Sequence, residues 1–163
     1  MMDKKLQKVF NDQIKNEFYS AYLYLSMAAY FESLNLEGFA HWMKVQVKEE
    51  QSHGMKMFDF LHDRGEKVVL QPIGQPTVDF SSPQEVFDET LAHEQKVTAL
   101  INALHETAEK ANDKAACIFL QWFITEQVEE EKNATKIIEL LKCVKPESAG
   151  MIMLDHQMAK REE

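Results

Sequence analysis

The sequence predicts an all-α protein, a four-helix bundle with one long crossover loop and a short C-terminal fifth helix. Three observations predict it. Apolar residues recur at three- and four-residue steps through most of the 163 residues, and no stretch alternates with the period of two that a half-buried strand requires. Gly and Pro number only 5 and 4, too few turn formers for a sandwich or barrel of many short strands. The one long interval without helical periodicity lies in mid-chain and carries Pro72, Gly74 and Pro76.

The elements follow in order. Helical periodicity covers about 4–34, 37–65, 83–111 and 113–143, with a shorter segment at about 147–160. Gly65 offers a C-terminal stop for the second helix. Ser82 at the N-cap, Pro83 at the first helical position and Glu85 three residues after the cap predict a capping box opening the third. Asn112-Asp113 offers a cap for the fourth. Helices of about 30 residues run about 45 Å, the dimension of a bundle. The first and second helices join near Asn35 and the third and fourth near Asn112, through so few residues that each pair is an antiparallel hairpin. Between the hairpins lie roughly 17 residues, Glu66 to Ser82, which reach about 56 Å when extended. That is enough to run the length of the bundle and return the chain to its starting end. One domain is expected over residues 1–163.

Charge and composition narrow the function classes. With 27 acidic against 18 basic residues the formal net charge is −9, which argues against a nucleic-acid partner and favours cations. The longest apolar stretch, Ala21 to Phe31, falls short of the roughly 18 residues needed to span a bilayer, so no membrane is expected. No export signal follows Met1, and Cys117 and Cys143 form neither a disulfide framework nor a CxxC pair. A cytoplasmic location is the expectation.

Carboxylates stand where leucines belong. The fourth helix has the seam Ala116, Leu120, Phe123, Gln127, Glu130, Ala134, Ile137, Leu141, and the second Phe39, Met43, Gln46, Glu50, His53, Met57, Phe60. The first runs Phe10, Gln13, Glu17, Ser20, Tyr24, Met27, Phe31, and the third Phe87, Leu91, Glu94, Val97, Ile101, Leu104. Glu17, Glu50 with His53, Glu94, and Gln127 with Glu130 all fall near helix midpoints, which lie at one height in a bundle of equal-length helices. The six side chains are expected to converge in one layer. No Lys or Arg occupies these seams at that level, and burying four uncompensated carboxylates would be prohibitive. Two divalent cations balance four carboxylates, and the imidazole adds a nitrogen ligand. Glu-x-x-His puts both ligands on one helical face. Mixed carboxylate and imidazole ligands suit iron or manganese better than zinc. Tyr24, two turns after Glu17, is expected beside the ligands.

With these motifs the chain resembles, over its whole length, the non-haem ferritins of bacteria and archaea. The residues that carry the resemblance are Glu17, Tyr24, Glu49-Glu50-x-x-His53, Glu94 and Glu126-Gln127-x-x-Glu130, with the long crossover and the fifth helix. The resemblance implies an iron store: a homo-oligomeric shell of 24 subunits that oxidises Fe(II) with dioxygen or peroxide at an intra-subunit di-iron centre and keeps ferric mineral inside. By the same resemblance Glu17, Glu50 and His53 hold one iron. Glu50 bridges to a second held by Glu94 and Glu130, with Gln127 nearby, and a third site takes Glu49, Glu126 and Glu129 beside Glu130. Haem is not expected, because Gln51 stands where bacterioferritins carry the haem-binding Met and Gln127-x-x-Glu130 where they carry a second Glu-x-x-His. The absence of CxxC pairs sets rubrerythrins aside, and the fifth helix sets aside the DNA-protecting mini-ferritins. Cys117 and Leu120 occupy positions where animal ferritins line a three-fold channel with acids. Trp122 is a redox candidate beside Tyr24.

Two other functions compete: a metal-free helical scaffold, and a di-iron oxidase acting on an organic substrate. Leu, Phe and Met fill the seams on both sides of the ligand layer, leaving little room for an organic substrate. His41, His62, His93, His105 and His156 are scattered and are assigned no ligand role. The apolar run Ala149 to Leu154 predicts a subunit contact, which the resemblance puts at a four-fold axis.

Overall fold

The computed structural model describes residues 1–162. Five helices form, α1 (Lys4–Ser33), α2 (Glu37–Asp63), α3 (Pro83–Lys110), α4 (Lys114–Lys142) and α5 (Ala149–Met158), and no strand is present among the described residues. Their ends lie within two residues of the expected ones, because local chemistry marks them. Asn35 and Asn112 take positive φ, 57° and 53°, as does Gly65 at 69°. At each of these three the chain reverses out of a helix with the same pair of hydrogen bonds, for example Glu66 N–H to Leu61 C=O and Gly65 N–H to His62 C=O, both 2.9 Å.

The cap of α3 departs from the expected capping box in one half. Ser82 Oγ accepts from Glu85 N–H at 3.1 Å as predicted, but the Glu85 carboxylate reaches back to the N–H and hydroxyl of Ser81 instead of the N-cap residue. Asp113 caps α4 by accepting from Ala116 N–H at 3.0 Å and also binds Arg64 through both guanidinium nitrogens, at 2.8 and 3.0 Å. That fork joins the end of α2 to the start of α4.

The crossover climbs along α1. Asn11 Oδ1 accepts from Val69 N–H at 2.6 Å, Asp12 from the Gln71 amide at 2.7 Å, and Ser26 donates to Thr77 C=O at 2.6 Å. Those anchors advance along α1 as the loop advances, so α3 starts at the end of the bundle where α1 finishes, and not at the chain's starting end as expected, because the α1–α2 hairpin has already brought the chain back there. α1 packs on α2, α3 on α4, and α1 joins the two hairpins through α3.

The core is divided in two. One apolar block gathers Phe31, Phe39, Met43 and Phe87 with the inner face of α5; the other gathers Phe10, Ile14, Met57, Leu104 and Leu120. Phe31 and Phe39 stack at 5.0 Å in the first, and Phe60 and Phe119 at 4.1 Å beside the second. Between the blocks lies a polar layer. α5 docks on the start of α2, which has no side-chain cap of its own; Asp155 Oδ1 supplies one from a distance, accepting from Phe39 N–H at 3.0 Å. Gly38 lies so close to the Asp155 carbonyl that a Cβ there would overlap it. The outer face of α5 leaves Ile152 and Met153 exposed. No helix among the described residues is long and apolar enough to cross a membrane.

Candidate metal centre

Glu17 from α1, Glu50 and His53 from α2, Glu94 from α3, and Gln127 and Glu130 from α4 are all buried in the layer between the apolar blocks. The heptad-like seams put them there: beyond the layer the same faces return to apolar residues, among them Phe10, Met27, Met43, Met57 and Phe123. Among the described residues these four glutamates and His53 are the only buried Asp, Glu, Lys, Arg or His side chains. Nothing cationic is buried with them to balance the carboxylates.

One half of the layer is already gathered. Glu17, Glu50 and His53 each present a ligand atom within 4.8 Å of the other two. His53 Nδ1 lies 3.7 Å from a Glu50 oxygen and 4.0 Å from a Glu17 oxygen. The Gln13 amide donates to Glu17 at 2.8 Å. Burial pushes the Glu17 carboxyl well above the usual carboxylate range, and the neighbouring charge of Glu50 adds to it.

The other half is held by donors from neighbouring side chains. Tyr24 donates its hydroxyl to Glu94, and the Gln127 amide donates to the other Glu94 oxygen at 3.1 Å and to the Glu94 carbonyl at 3.2 Å. Glu130 accepts from Gln46 Nε2 at 2.8 Å, and the same amide leans 3.4 Å toward Glu50. Gln46 Oε1 is buried and has no hydrogen-bond partner. Burial pushes the Glu130 carboxyl up to about 7, with Glu94 adding to the rise. Glu50 is raised by burial and then by Glu94 and Glu130; Glu94 is raised by burial against the opposing pull of Tyr24 and Gln127. Each shift says the same thing: the layer resists carrying its full negative charge alone, and a divalent cation would relieve it.

Tyr24 stands as expected beside the carboxylates, fully buried, with its ring edge-on to His93 at 6.0 Å. His93 pairs with Ser20 Oγ at 2.8 Å, and burial lowers it to about 4, so it serves as a neutral brace. Trp122 lies edge-on to His53 at 5.4 Å, with Lys56 Nζ 4.4 Å from its ring centre.

The three acids expected at a third site stand outside the layer. Glu49 and Glu126 are half-buried and Glu129 is exposed. Among the described residues they form no gathered trio like that of Glu17, Glu50 and His53. Glu49 is instead paired with Arg161. Two kinds of residue escaped sequence reasoning. Gln13 and Gln46 stood on the seams but were assigned no role, although each lies one turn from a layer glutamate. Arg161 carried no signal at all, since it lies beyond the last periodic segment.

Several known proteins share this arrangement of helices. The sequence profile of the Ferritin-like domain family matches residues 7–144. The bacterial non-heme ferritin of Staphylococcus saprophyticus is 38% identical over 161 residues, covering 99% of this chain and 96% of that protein. The bacterial non-heme ferritin of Staphylococcus aureus is 36% identical over the same length. Among solved structures, an open pore ferritin from the archaeon Archaeoglobus fulgidus superposes with a TM-score of 0.97 at 42% identity, over 99% of this chain and all of that one, 100%. A closed form engineered from the Archaeoglobus fulgidus ferritin matches with the same TM-score of 0.97 at 43% identity, over 99% of each chain. A five-helix chain with its buried acids confined to one mid-bundle layer, matched end to end by these relatives, belongs to the ferritin family.

Proposed function

We propose that the chain stores iron, and that it oxidises Fe(II) at the buried layer before storage. The observation that carries this reading is the confinement of every buried Asp, Glu and His among the described residues to one layer with no buried Lys or Arg. Glu17, Glu50 and His53 take the first Fe(II), and Glu50 bridges to a second held by Glu94 and Glu130. Each iron gives one electron to dioxygen, which leaves as peroxide after taking two protons, or the pair reduces peroxide onward to water. The chain's contribution is charge and placement, and the redox chemistry belongs to the metal. Tyr24 and Gln127 act on Glu94, orienting it and holding it while the second position is empty.

Gln127, neutral where a fifth carboxylate would fit, lowers the hold on the ferric product and favours its release toward a mineral core. Glu49, Glu126 and Glu129 would serve a third cation next to Glu130. Membership of the ferritin family favours a hollow homo-oligomeric shell, with 24 subunits by family resemblance, and the reading places it in the cytoplasm. The exposed Ile152 and Met153 of α5 fit a contact between copies.

Anaerobic Fe(II) titration followed by oxygen tests the reading. Binding of about two irons per chain and a fast rise in ferric absorbance are expected. Gel filtration of the same sample should give a very large, iron-containing particle. A small metal-free species with no oxidation phase would instead favour the scaffold reading, in which the amide and phenol donors alone satisfy the carboxylates.

A further inference from the structure

The residues that follow α5 come back to the edge of the carboxylate layer. Beyond α5, Arg161 lays its guanidinium on the ring of Trp42, 4.1 Å from the centre, and donates to the Trp42 carbonyl at 3.4 Å and to the Glu49 carboxylate. Its own carbonyl pairs with His41 Nε2 at 2.9 Å, which pins the backbone at the same point. The Arg161 side chain is only 16% exposed and that of Glu49 35%. An ordinary surface ion pair contributes little, because water screens both charges and two long side chains must be ordered. This one is stacked on a buried indole, forked between two acceptors and partly desolvated, the conditions under which a guanidinium holds its place. Its charge also reaches past Glu49, since Arg161 draws the Glu130 carboxyl down while Glu49 pushes it up.

Resting on the proposed iron-binding role of the layer, we propose that Arg161 is a tethered counter-cation at the edge of the metal centre. It occupies Glu49, and a divalent cation takes Glu49 as a ligand only by displacing the guanidinium. The guanidinium borders a pocket of about 260 Å³ lined also by Trp42, Lys136, Ile137 and Lys160, whose two like charges oppose any closer packing of the cation away from Glu49. Glu49 and Glu130 thereby present a third cation with an internal competitor, while Glu17, Glu50, His53 and Glu94 have none. The third position fills last and empties first.

The test is anaerobic Co(II) binding to the assembled full-length protein, followed by calorimetry and by the visible absorbance of bound cobalt. Arg161→Gln is expected to tighten the weakest binding event about tenfold, the equivalent of one interfering charge removed at a partly exposed site. Arg161→Lys, which keeps the charge and loses the fork, should stay near the parent. Adding Glu49→Gln to Arg161→Gln should cancel the gain. If Arg161 merely docks the tail, Gln and Lys variants would move together, and that result overturns the proposal. So does an unchanged weak event in Arg161→Gln. Failure of the parent itself to bind about two Co(II) per chain would be different in kind: it removes the layer's metal role, and this proposal with it.

Discussion

The two halves of the carboxylate layer each bring two glutamates to the same height of the bundle, yet only the α1/α2 half adds an imidazole, and they are built differently. On the α1/α2 side, Glu17, Glu50 and His53 already converge within 4.8 Å. On the α3/α4 side, Glu94 and Glu130 are each tied to a neutral donor, Tyr24 and Gln127 for one and Gln46 for the other. A cation entering the first half meets ligands in position. In the second, Tyr24, Gln127 and Gln46 hold the carboxylates at close range until a cation arrives, whereas in the first the close donor is Gln13, to Glu17 at 2.8 Å. The difference teaches that a single layer can combine one position whose ligands are already gathered with one whose carboxylates are held apart by neighbouring donors.

Glu50 belongs to both halves, so its loss should have the largest effect. If the proposed function holds, Glu50→Gln is expected to lower the oxidation rate on the order of a thousandfold, because it removes the carboxylate assigned to both cations. The same variant should raise the stability of the metal-free protein by about 1–3 kcal/mol near neutral pH, since it removes a carboxyl whose ionisation is opposed by burial first and then by Glu94 and Glu130. Stopped-flow absorbance and chemical denaturation without metal read the two effects. A variant that kept the parent rate would dissolve the distinction between the halves.

Protons offer the next lever. Glu130 is raised from 4.5 to about 7 in the folded protein, so the native state holds a proton over that interval that the unfolded chain has released. Stability of the metal-free protein is therefore fully present below about pH 4.5 and is lost as pH rises through about 7, by an amount on the order of 3 kcal/mol for this group. Glu17, Glu50 and Glu94, raised in the same direction, act with it. Cations compete with those protons, so the metal-loaded protein should gain stability across the same window. Denaturation midpoints at about pH 5 and pH 7.5, with and without Co(II), should show slopes of opposite sign.

Much of this was legible before the fold was known, for a specific reason. Helical period decides which residues share a face, so Glu17, Glu50, His53, Glu94, Gln127 and Glu130 could be read as breaks in apolar seams, and all six are buried in one layer. Chain-terminating chemistry was equally local: Asn35, Gly65 and Asn112 each end a helix through their own backbone conformation. What escaped depends on rotamers or on distance along the chain. Gln46 was visible on its seam, but that its amide donates to Glu130 rather than to solvent is a side-chain choice. Arg161 meets Glu49 across 112 residues, and Asp155 caps α2 across 116, and no periodicity spans such intervals. Glu49, Glu126 and Glu129 stand on helix surfaces, where spacing sets position but not convergence.

A smaller effect separates the halves through Tyr24. Tyr24→Phe keeps the buried ring and its edge contact with His93 but removes the hydroxyl that holds Glu94. The second cation should bind about tenfold more weakly, in the range typical of lost partners to metal ligands, while the first is unchanged. Stepwise Co(II) calorimetry separates the two events. Equal weakening of both would mean that the layer behaves as one site.

Gln127→Glu probes the same half from the opposite direction, and two consequences nearly cancel. A new carboxyl adds a ligand charge, which favours the second cation. It also removes the amide that donates to the Glu94 carboxylate at 3.1 Å and to its carbonyl at 3.2 Å. In the empty layer, already reluctant to carry its charge, the new group should be protonated near neutral pH, so binding must first release that proton. The net gain in affinity is expected to be only about threefold near pH 7 and to grow with pH. Ferric iron, with its higher charge, should feel the added carboxylate more than ferrous iron does, so recovery of fast oxidation after a first iron load should be slower than in the parent. A gain in affinity independent of pH would show that the second half is not limited by protons, and that the donors of Glu94 alone make it the looser position.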